Sequence, residues 1–232
     1  MIELLRRPIG DHDITVVCTE RSDGDVHPLR VSPPDLRERQ LAATGRTWAM
    51  LDQVHGTARV DHEALEPSDN DSVIGVGDVL VADAGQPVAI WAADCAPVVL
   101  VDGDGGIVGC HAGWRGLAAG VIDVAVVAGH VGRTPRLAVL GPCIHPCCYE
   151  FGPAELERVA EGLDVAPALI TAVTTSGSPS LDVPAAVGLA LGVHGIDLDV
   201  VGPCTGCDQR WFSHRGGDRG RQAIVAWSEP AS

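Results

Sequence analysis

The 232-residue chain contains no lysine, and all 16 of its basic residues are arginine. That absence removes lysine Schiff-base chemistry and the lysine-bearing phosphate loop. With Ala, Gly, Val and Asp abundant, it reads as a genomic composition bias. Basic charge is scarce too: 31 Asp and Glu against 16 Arg leave a formal net charge of −15. A nucleic-acid partner is not expected, because proteins that bind it carry a basic stripe to displace counterions, so any phosphate must be met locally. No run of about 18 apolar residues is available to span a bilayer, so no membrane partner is expected either. Residues 1–7 lack the apolar stretch and small-residue cleavage site of a secretory signal, which predicts a cytoplasmic protein. Low-complexity segments and fixed-period repeats are also missing.

What is present is enough apolar sequence, 46%, to bury one sizeable core, so residues 1–232 are expected to form one domain without covalent staples. Eight cysteines in a cytoplasmic chain point to metal ligation, catalysis or buried thiols rather than a disulfide framework.

Along the chain, residues 1–18 read as two short strands joined by the turn Gly10-Asp11-His12-Asp13, with a polar loop over 19–25. Ser32-Pro33-Pro34-Asp35 opens a helix that Gly45 stops. Residues 48–54 form a strand ending at His55, and 61–77 read as an acidic, irregular surface excursion. Short β-branched runs at 79–82, 88–92, 98–101 and 107–110 suit strands buried on both faces. A buried helix over 117–130, a strand at 136–140, a solvent-facing helix from Pro153 and a helix capped by Asp182 follow. The last strands are expected at 197–201 and 222–227. Strands outnumber helices and do not alternate strictly with them, which predicts an α+β fold with mixed β-sheet.

Three stretches carry chemistry-bearing side chains at predicted strand ends: Gln53-Val54-His55-Gly56, Ala93-Asp94-Cys95-Ala96-Pro97 and Cys110-His111-Ala112-Gly113-Trp114-Arg115-Gly116. A zinc centre needs about three N or S ligands and an open position, and His55, Cys95 and His111 could supply them, with Asp94 adjacent to orient a ligand or carry protons. Intervals of 40 and 16 residues fit no zinc-finger pattern, so spacing alone leaves satisfied histidines and a core cysteine as the alternative. A helix beginning right after His111 would turn the N–H groups of 113–116 toward an anion beside Arg115. Arg39, Arg215 and Arg221 are further anion candidates, against solvated arginine as the ordinary reading. A second set, Cys143, Cys147, Cys148, Cys204 and Cys207, suits either buried thiols, the favoured reading, or structural zinc. Only Cys204 and Cys207 have knuckle spacing. His145 and His214 are loop histidines that could act as ligands.

Together with Gly141-Pro142-Cys143-Ile144, Tyr149-Glu150-Phe151-Gly152, Leu181-Asp182, Cys204-Thr205, Phe212-Ser213-His214-Arg215 and Gly220-Arg221, these motifs resemble the YfiH-like family over about residues 14–227. The family was first described as polyphenol oxidoreductases (laccases) and later as purine nucleoside phosphorylases with adenosine deaminase activity. The resemblance implies zinc on His55, Cys95 and His111. It implies phosphorolysis of adenosine, inosine, guanosine and methylthioadenosine to base and ribose 1-phosphate, and deamination of adenosine to inosine. It also implies an α/β/β/α layered fold like the cytotoxic necrotizing factor deamidase domain. On this basis Asp94, Cys95 and His111 are the expected catalytic residues. Arg115, Arg39, Arg215 and Gln53 are the expected contacts to nucleoside and phosphate, and the protein a monomer or small homo-oligomer. The family's longer N-terminal loop is shortened here to residues 19–27, and Glu38 stands where an asparagine is usual. Copper is the lesser cofactor expectation: a laccase needs mononuclear and trinuclear centres built from His-X-His pairs, whereas the 9 histidines here form none. A metal-free hydrolase with Cys95 as nucleophile and His111 as base is the enzyme alternative, and a non-enzymatic binding module is the third class.

Overall fold

The computed structural model describes residues 1–62, 73–129 and 135–231. Residues 63–72 of the acidic excursion and the predicted helix end at His130 lie outside them.

In chain order, β1 (Ile2–Ile9) and β2 (His12–Cys18) form a hairpin. Ser32 then caps α1 (Pro33–Thr44), its side chain accepting the Asp35 N–H, and Gly45 ends the helix as expected. Short strands β3 (Met50–Asp52), β4 (Arg59–Asp61) and β5 (Val73–Val76) precede the apolar runs β6 (Val79–Ala82), β7 (Val88–Ala92), β8 (Ala96–Val101) and β9 (Ile107–Ala112). Next come α2 (Trp114–Ala118), α3 (Val121–Gly129), β10 (Leu137–Leu140) and α4 (Pro153–Gly162). The chain closes with β11 (Thr171–Val173), β12 (Pro179–Leu181), α5 (Val183–Gly192), β13 (Leu198–Val200) and β14 (Gln222–Pro230).

Two sheets carry the architecture. One is antiparallel, in the order β1-β2-β14-β7, and the other is mixed, in the order β13-β10-β8-β9-β6-β4, with parallel pairs at both edges. Alternation along the strands sends successive side chains to opposite faces and so divides the core. Ile14, Val16, Val88, Ile90 and Ile224 of the first sheet pack against Leu80, Val99, Ile107 and Val139 of the second. The outer face of the second sheet, including Val98, Val108 and Leu140, is covered by α2 to α5 through Leu117, Ile122, Leu156 and Val187. The outer face of the first, with Ala89, Trp91 and Val225, packs on Leu36 of α1. The layers therefore run helix, sheet, sheet, helix. Each fully buried Val, Leu or Ile contributes about 1.5–3 kcal/mol, so the two faces of each sheet make the arrangement obligatory.

Several boundaries differ from expectation. The helix predicted over 117–130 begins at Trp114 and breaks at Gly120, where φ is 81°, a conformation that only glycine adopts without strain. Part of the stretch read as irregular, 61–77, is strand: β5 pairs in parallel with β3. β4, β11 and β12 are three-residue strands too short for a periodic signal. Among the described residues, no helix is long and apolar enough to cross a membrane.

Candidate metal centre

The connection 93–95 crosses from β7 in one sheet to β8 in the other, so Cys95 sits where both sheets end. Antiparallel pairing of β8 with β9 sets Pro97 opposite His111 and Ala96 opposite Ala112, which brings the end of β9 to the same place. β3 reaches this end from the side. Gln53 extends its pairing with a side chain, donating Nε2–H to the Trp91 carbonyl (2.7 Å) and accepting the Trp91 N–H (3.1 Å). The chain then turns through His55, whose φ of 61° is in the left-handed region, as is that of Asp94 at 92°. Two strained non-glycine residues at one sheet end mark a place where geometry is held against local preference.

One ligand atom from each of His55, Cys95 and His111 falls within 4.8 Å of the others, and Cys95 Sγ lies 3.8 Å from His55 Nε2. His55 is exposed, Cys95 half-buried and His111 buried, so the cluster has one open side. Gly113 is essential to this closeness. A Cβ on it would stand 2.7 Å from His55 Cδ2 and 3.3 Å from Cys95 Sγ.

Sequence reasoning missed the group that orders the cluster. Asp78, 2% exposed, precedes β6, and the pairing of Val79 with Cys110 places it beside His111. Its Oδ1 accepts from His111 Nδ1 (2.8 Å) and the His55 N–H (3.0 Å), its Oδ2 accepts the Gly56 N–H (2.7 Å), and its carbonyl accepts the His111 N–H (2.8 Å). An ionised carboxylate only accepts, so Nδ1 carries a proton, and Nε2 is the nitrogen that could meet a metal once its own proton is displaced. Burial pushes the Asp78 carboxyl up, but these hydrogen bonds hold it below its ordinary range. Burial likewise works against charge on Cys95 and His111, yet each favours the charged form of the other. The thiol is brought down by His111 and His55, and the imidazole is raised by Cys95 and Asp78. One signal in the sequence could have found Asp78: it is the acidic residue immediately before an apolar run that pairs with the His111 strand.

The remaining expected residues are placed differently from one another. Asp94 is buried, its Oδ1 accepting from Thr205 Oγ1 and its Oδ2 from the Arg215 N–H, both at 2.6 Å. Arg215 stacks its guanidinium 4.9 Å over the Tyr149 ring and donates to the Glu150 carbonyl (2.9 Å). Arg115 is exposed and stacks 4.4 Å over Trp114. Trp114, Phe151 and Tyr149 form a continuous aromatic wall, with ring centroids 5.6 and 5.1 Å apart. Tyr149, the single tyrosine, is thus part of the site: burial and the nearby Cys95 push its hydroxyl well above its usual range, against Arg215 and Arg115. α2 is only five residues long, so the expected anion-binding helix start has little dipole behind it. Both polar atoms of the Gln53 amide face Trp91, which leaves it one N–H. Arg39 is not brought to the cluster. Its guanidinium donates to the Asp25 carbonyl, and it lines a surface groove with Ser22, Asp35 and Glu38. Arg221 is closer: its N–H donates to Asp25 Oδ1 (2.9 Å), and its guanidinium feels the charges of Cys95 and Asp94. Among the described residues, neither His145 nor His214 joins a ligand cluster.

His27 stacks on Trp91, centroids 4.5 Å apart, and its Nδ1 accepts the Leu29 N–H (3.2 Å), so it is held neutral. Burial, then Arg30 and Arg221, bring it from 6.5 down to about 4. The unfolded chain therefore binds a proton between those values that the folded chain does not, and stability falls as pH drops through that window. Urea unfolding of wild type and His27→Gln should converge on acidification from pH 6.5 to 4 if the glutamine is otherwise destabilising. A constant difference would contradict the neutral assignment.

The family model of the multi-copper polyphenol oxidoreductase laccases matches residues 34–229, and the chain belongs to this YfiH-like family. Purine nucleoside phosphorylase YlmD of Geobacillus stearothermophilus is 32% identical over 197 residues, 78% of this chain and 70% of that protein. A purine nucleoside phosphorylase of Xylella fastidiosa is 38% identical over 184 residues, 76% of this chain and 70% of that protein. The crystal structure of a Neisseria meningitidis protein matches with a TM-score of 0.76 at 26% identity, covering 96% of this chain and 98% of that one.

Proposed function

We propose that this chain is a zinc-dependent purine nucleoside phosphorylase. It would convert adenosine, inosine, guanosine or methylthioadenosine and phosphate to base and ribose 1-phosphate, and also deaminate adenosine to inosine. The observation that carries the reading is the convergence of His55, Cys95 and His111 on one open point with Asp78 behind them. Relatives named purine nucleoside phosphorylase supply the substrate class. The donor set fits zinc: two imidazoles and a thiolate, one imidazole oriented by a carboxylate, and a free fourth position. Bound there, zinc would supply Lewis acidity toward an oxygen ligand. The reading takes residues 1–232 as one cytoplasmic catalytic domain, monomeric or in a small homo-oligomer, with the likeness to the cytotoxic necrotizing factor deamidase domain.

In phosphorolysis a phosphate oxygen bonds to C1′ of the ribose while the C1′–N9 bond breaks, its electron pair passing to the purine, which takes up a proton. Arg115 and Arg215 hold the phosphate, because guanidinium forks fix the geometry of a tetrahedral anion. Their stacking on Trp114 and Tyr149 limits their rotamers before substrate arrives. Arg39 would join them only by leaving the Asp25 carbonyl, and Gln53 has one N–H to offer. The aromatic wall packs against the purine. Asp94 moves the proton through Oδ1 or Oδ2, positioned by Thr205 and Arg215. In deamination water adds at C6 and ammonia leaves, and Asp94 again serves the proton.

The line Cys95–His111–Asp78 also has the order of a nucleophile, a base and an orienting carboxylate, and the mutual support of thiolate and imidazolium favours a metal-free hydrolase as second reading. Copper-dependent polyphenol oxidation is the third, weakened by the lack of His-X-His pairs. Metal analysis separates the first reading from the second, zinc bound on His55, Cys95 and His111 against none there, and incubation with adenosine, with and without phosphate, tests the phosphorylase reading itself. The proposal predicts adenine only with phosphate and inosine in both cases. Purine products absent under both conditions would reject it.

A further inference from the structure

A second cluster lies outside the centre described above. We infer that Cys147, Cys148, Cys204 and Cys207 form a separate structural zinc site with four thiolate ligands. Their sulfur atoms all lie within 4.8 Å of one another, with Cys207 Sγ 3.4 Å from Cys147 Sγ and 3.3 Å from Cys148 Sγ. A tetrahedron of Zn–S bonds of about 2.3 Å sets sulfurs about 3.8 Å apart, within this spread. A disulfide requires about 2.05 Å, and all eight cysteines are free thiols.

The surroundings are those of a ligand knuckle. Cys204-Thr205-Gly206-Cys207 turns tightly, with the N–H groups of Cys207 and Asp208 both donating to the Cys204 carbonyl at 3.2 Å. His145 N–H donates to Cys204 Sγ at 3.3 Å. Gly206 is required: a Cβ there would stand 2.8 Å from Cys148 Cβ and 3.1 Å from its sulfur. The facing turn, closed by Cys148 N–H to the His145 carbonyl (3.1 Å), presents two consecutive cysteines to the same point. Cys143 is not a ligand. It is fully buried, with backbone bridged to Cys204.

The site ties together two loops that line the first centre. Thr205, between two of the thiols, donates to Asp94 Oδ1, and Tyr149, next to Cys148, lies under Arg215. This inference stands apart from the phosphorylase reading, and the two are separated by variant.

The test is zinc content by mass spectrometry of the full chain purified under reducing conditions. About two zinc per chain are expected in wild type, about one in Cys95→Ala and about one in Cys207→Ser. If Cys207→Ser does not fold, cobalt loading of Cys95→Ala replaces it, with the absorption of tetrahedral four-thiolate cobalt expected. Zinc unchanged by Cys207→Ser, eight freely titrating thiols in metal-replete protein, a Cys148–Cys207 disulfide, or iron in place of zinc would each overturn the inference. Zinc lost on Cys207→Ser but not on Cys95→Ala would uphold it while counting against zinc at the first centre.

Discussion

Gly113→Ala should empty the His55, Cys95 and His111 centre and lower kcat/KM by roughly two orders of magnitude, while leaving the fold in place. The backbone of Gly113, at φ −71° and ψ 161°, is one that alanine adopts freely, so the substitution costs nothing locally. Its whole effect falls on the ligands. The added methyl would meet His55 Cδ2 at 2.7 Å, about 1 Å inside a normal carbon–carbon contact, and would press on Cys95 Sγ at 3.3 Å. His55 is on a surface turn and gives way first. Metal content, kcat/KM and the thermal unfolding midpoint, measured together, check this: the first should fall by about one zinc per chain, the second should collapse and the third should move little. A metal-replete, active Gly113→Ala protein would show that the ligands do not converge beneath that residue.

Removing the Asp78 carboxylate should be the most damaging change near the site for stability. In Asp78→Ala the N–H groups of His55 and Gly56 and the His111 imidazole lose their acceptor in a buried place, a loss of about 3–5 kcal/mol for a group of this kind. That is a large part of the ~5–15 kcal/mol that holds a typical domain together. Asp78→Asn keeps one oxygen and the volume, but sets an amide N–H against a donor and weakens control of the His111 tautomer. It should fold and bind metal about 10–100-fold less tightly. Urea unfolding and competitive metal titration of both variants decide this, and native affinity in Asp78→Asn would remove the positioning role.

Two members of the candidate cluster are legible because strand ends announce themselves: apolar runs at 88–92 and 107–110 each give way to polar or small residues, and Cys95 and His111 stand at those points. The layer order was available through family resemblance, and the observed cores explain it by alternation. Asp78 was hidden by abundance, one of 31 acidic residues, and only strand register singles it out. The left-handed backbone at His55 and Asp94 has no compositional signature, since both are held by contacts from distant segments such as Asp78 and Thr205. The break between α2 and α3 overruled an apolar pattern that runs through it, because Gly120 turns the chain so that both pieces pack on the same sheet. Arginines were the hardest to rank. Arg115 and Arg215 converge on the aromatic wall, whereas Arg39 is engaged elsewhere, and nothing local to the three residues distinguishes them.

The central claim is that one centre, built on Cys95, serves the purine nucleoside chemistry. Its most direct test is adenosine turnover with phosphate by wild type and Cys95→Ala, with metal content determined on the same samples. We predict phosphate-dependent adenine release and inosine formation by wild type, both lost in Cys95→Ala together with about one zinc per chain. A Cys95→Ala protein that keeps its metal and turns over adenosine at the wild-type rate would contradict it.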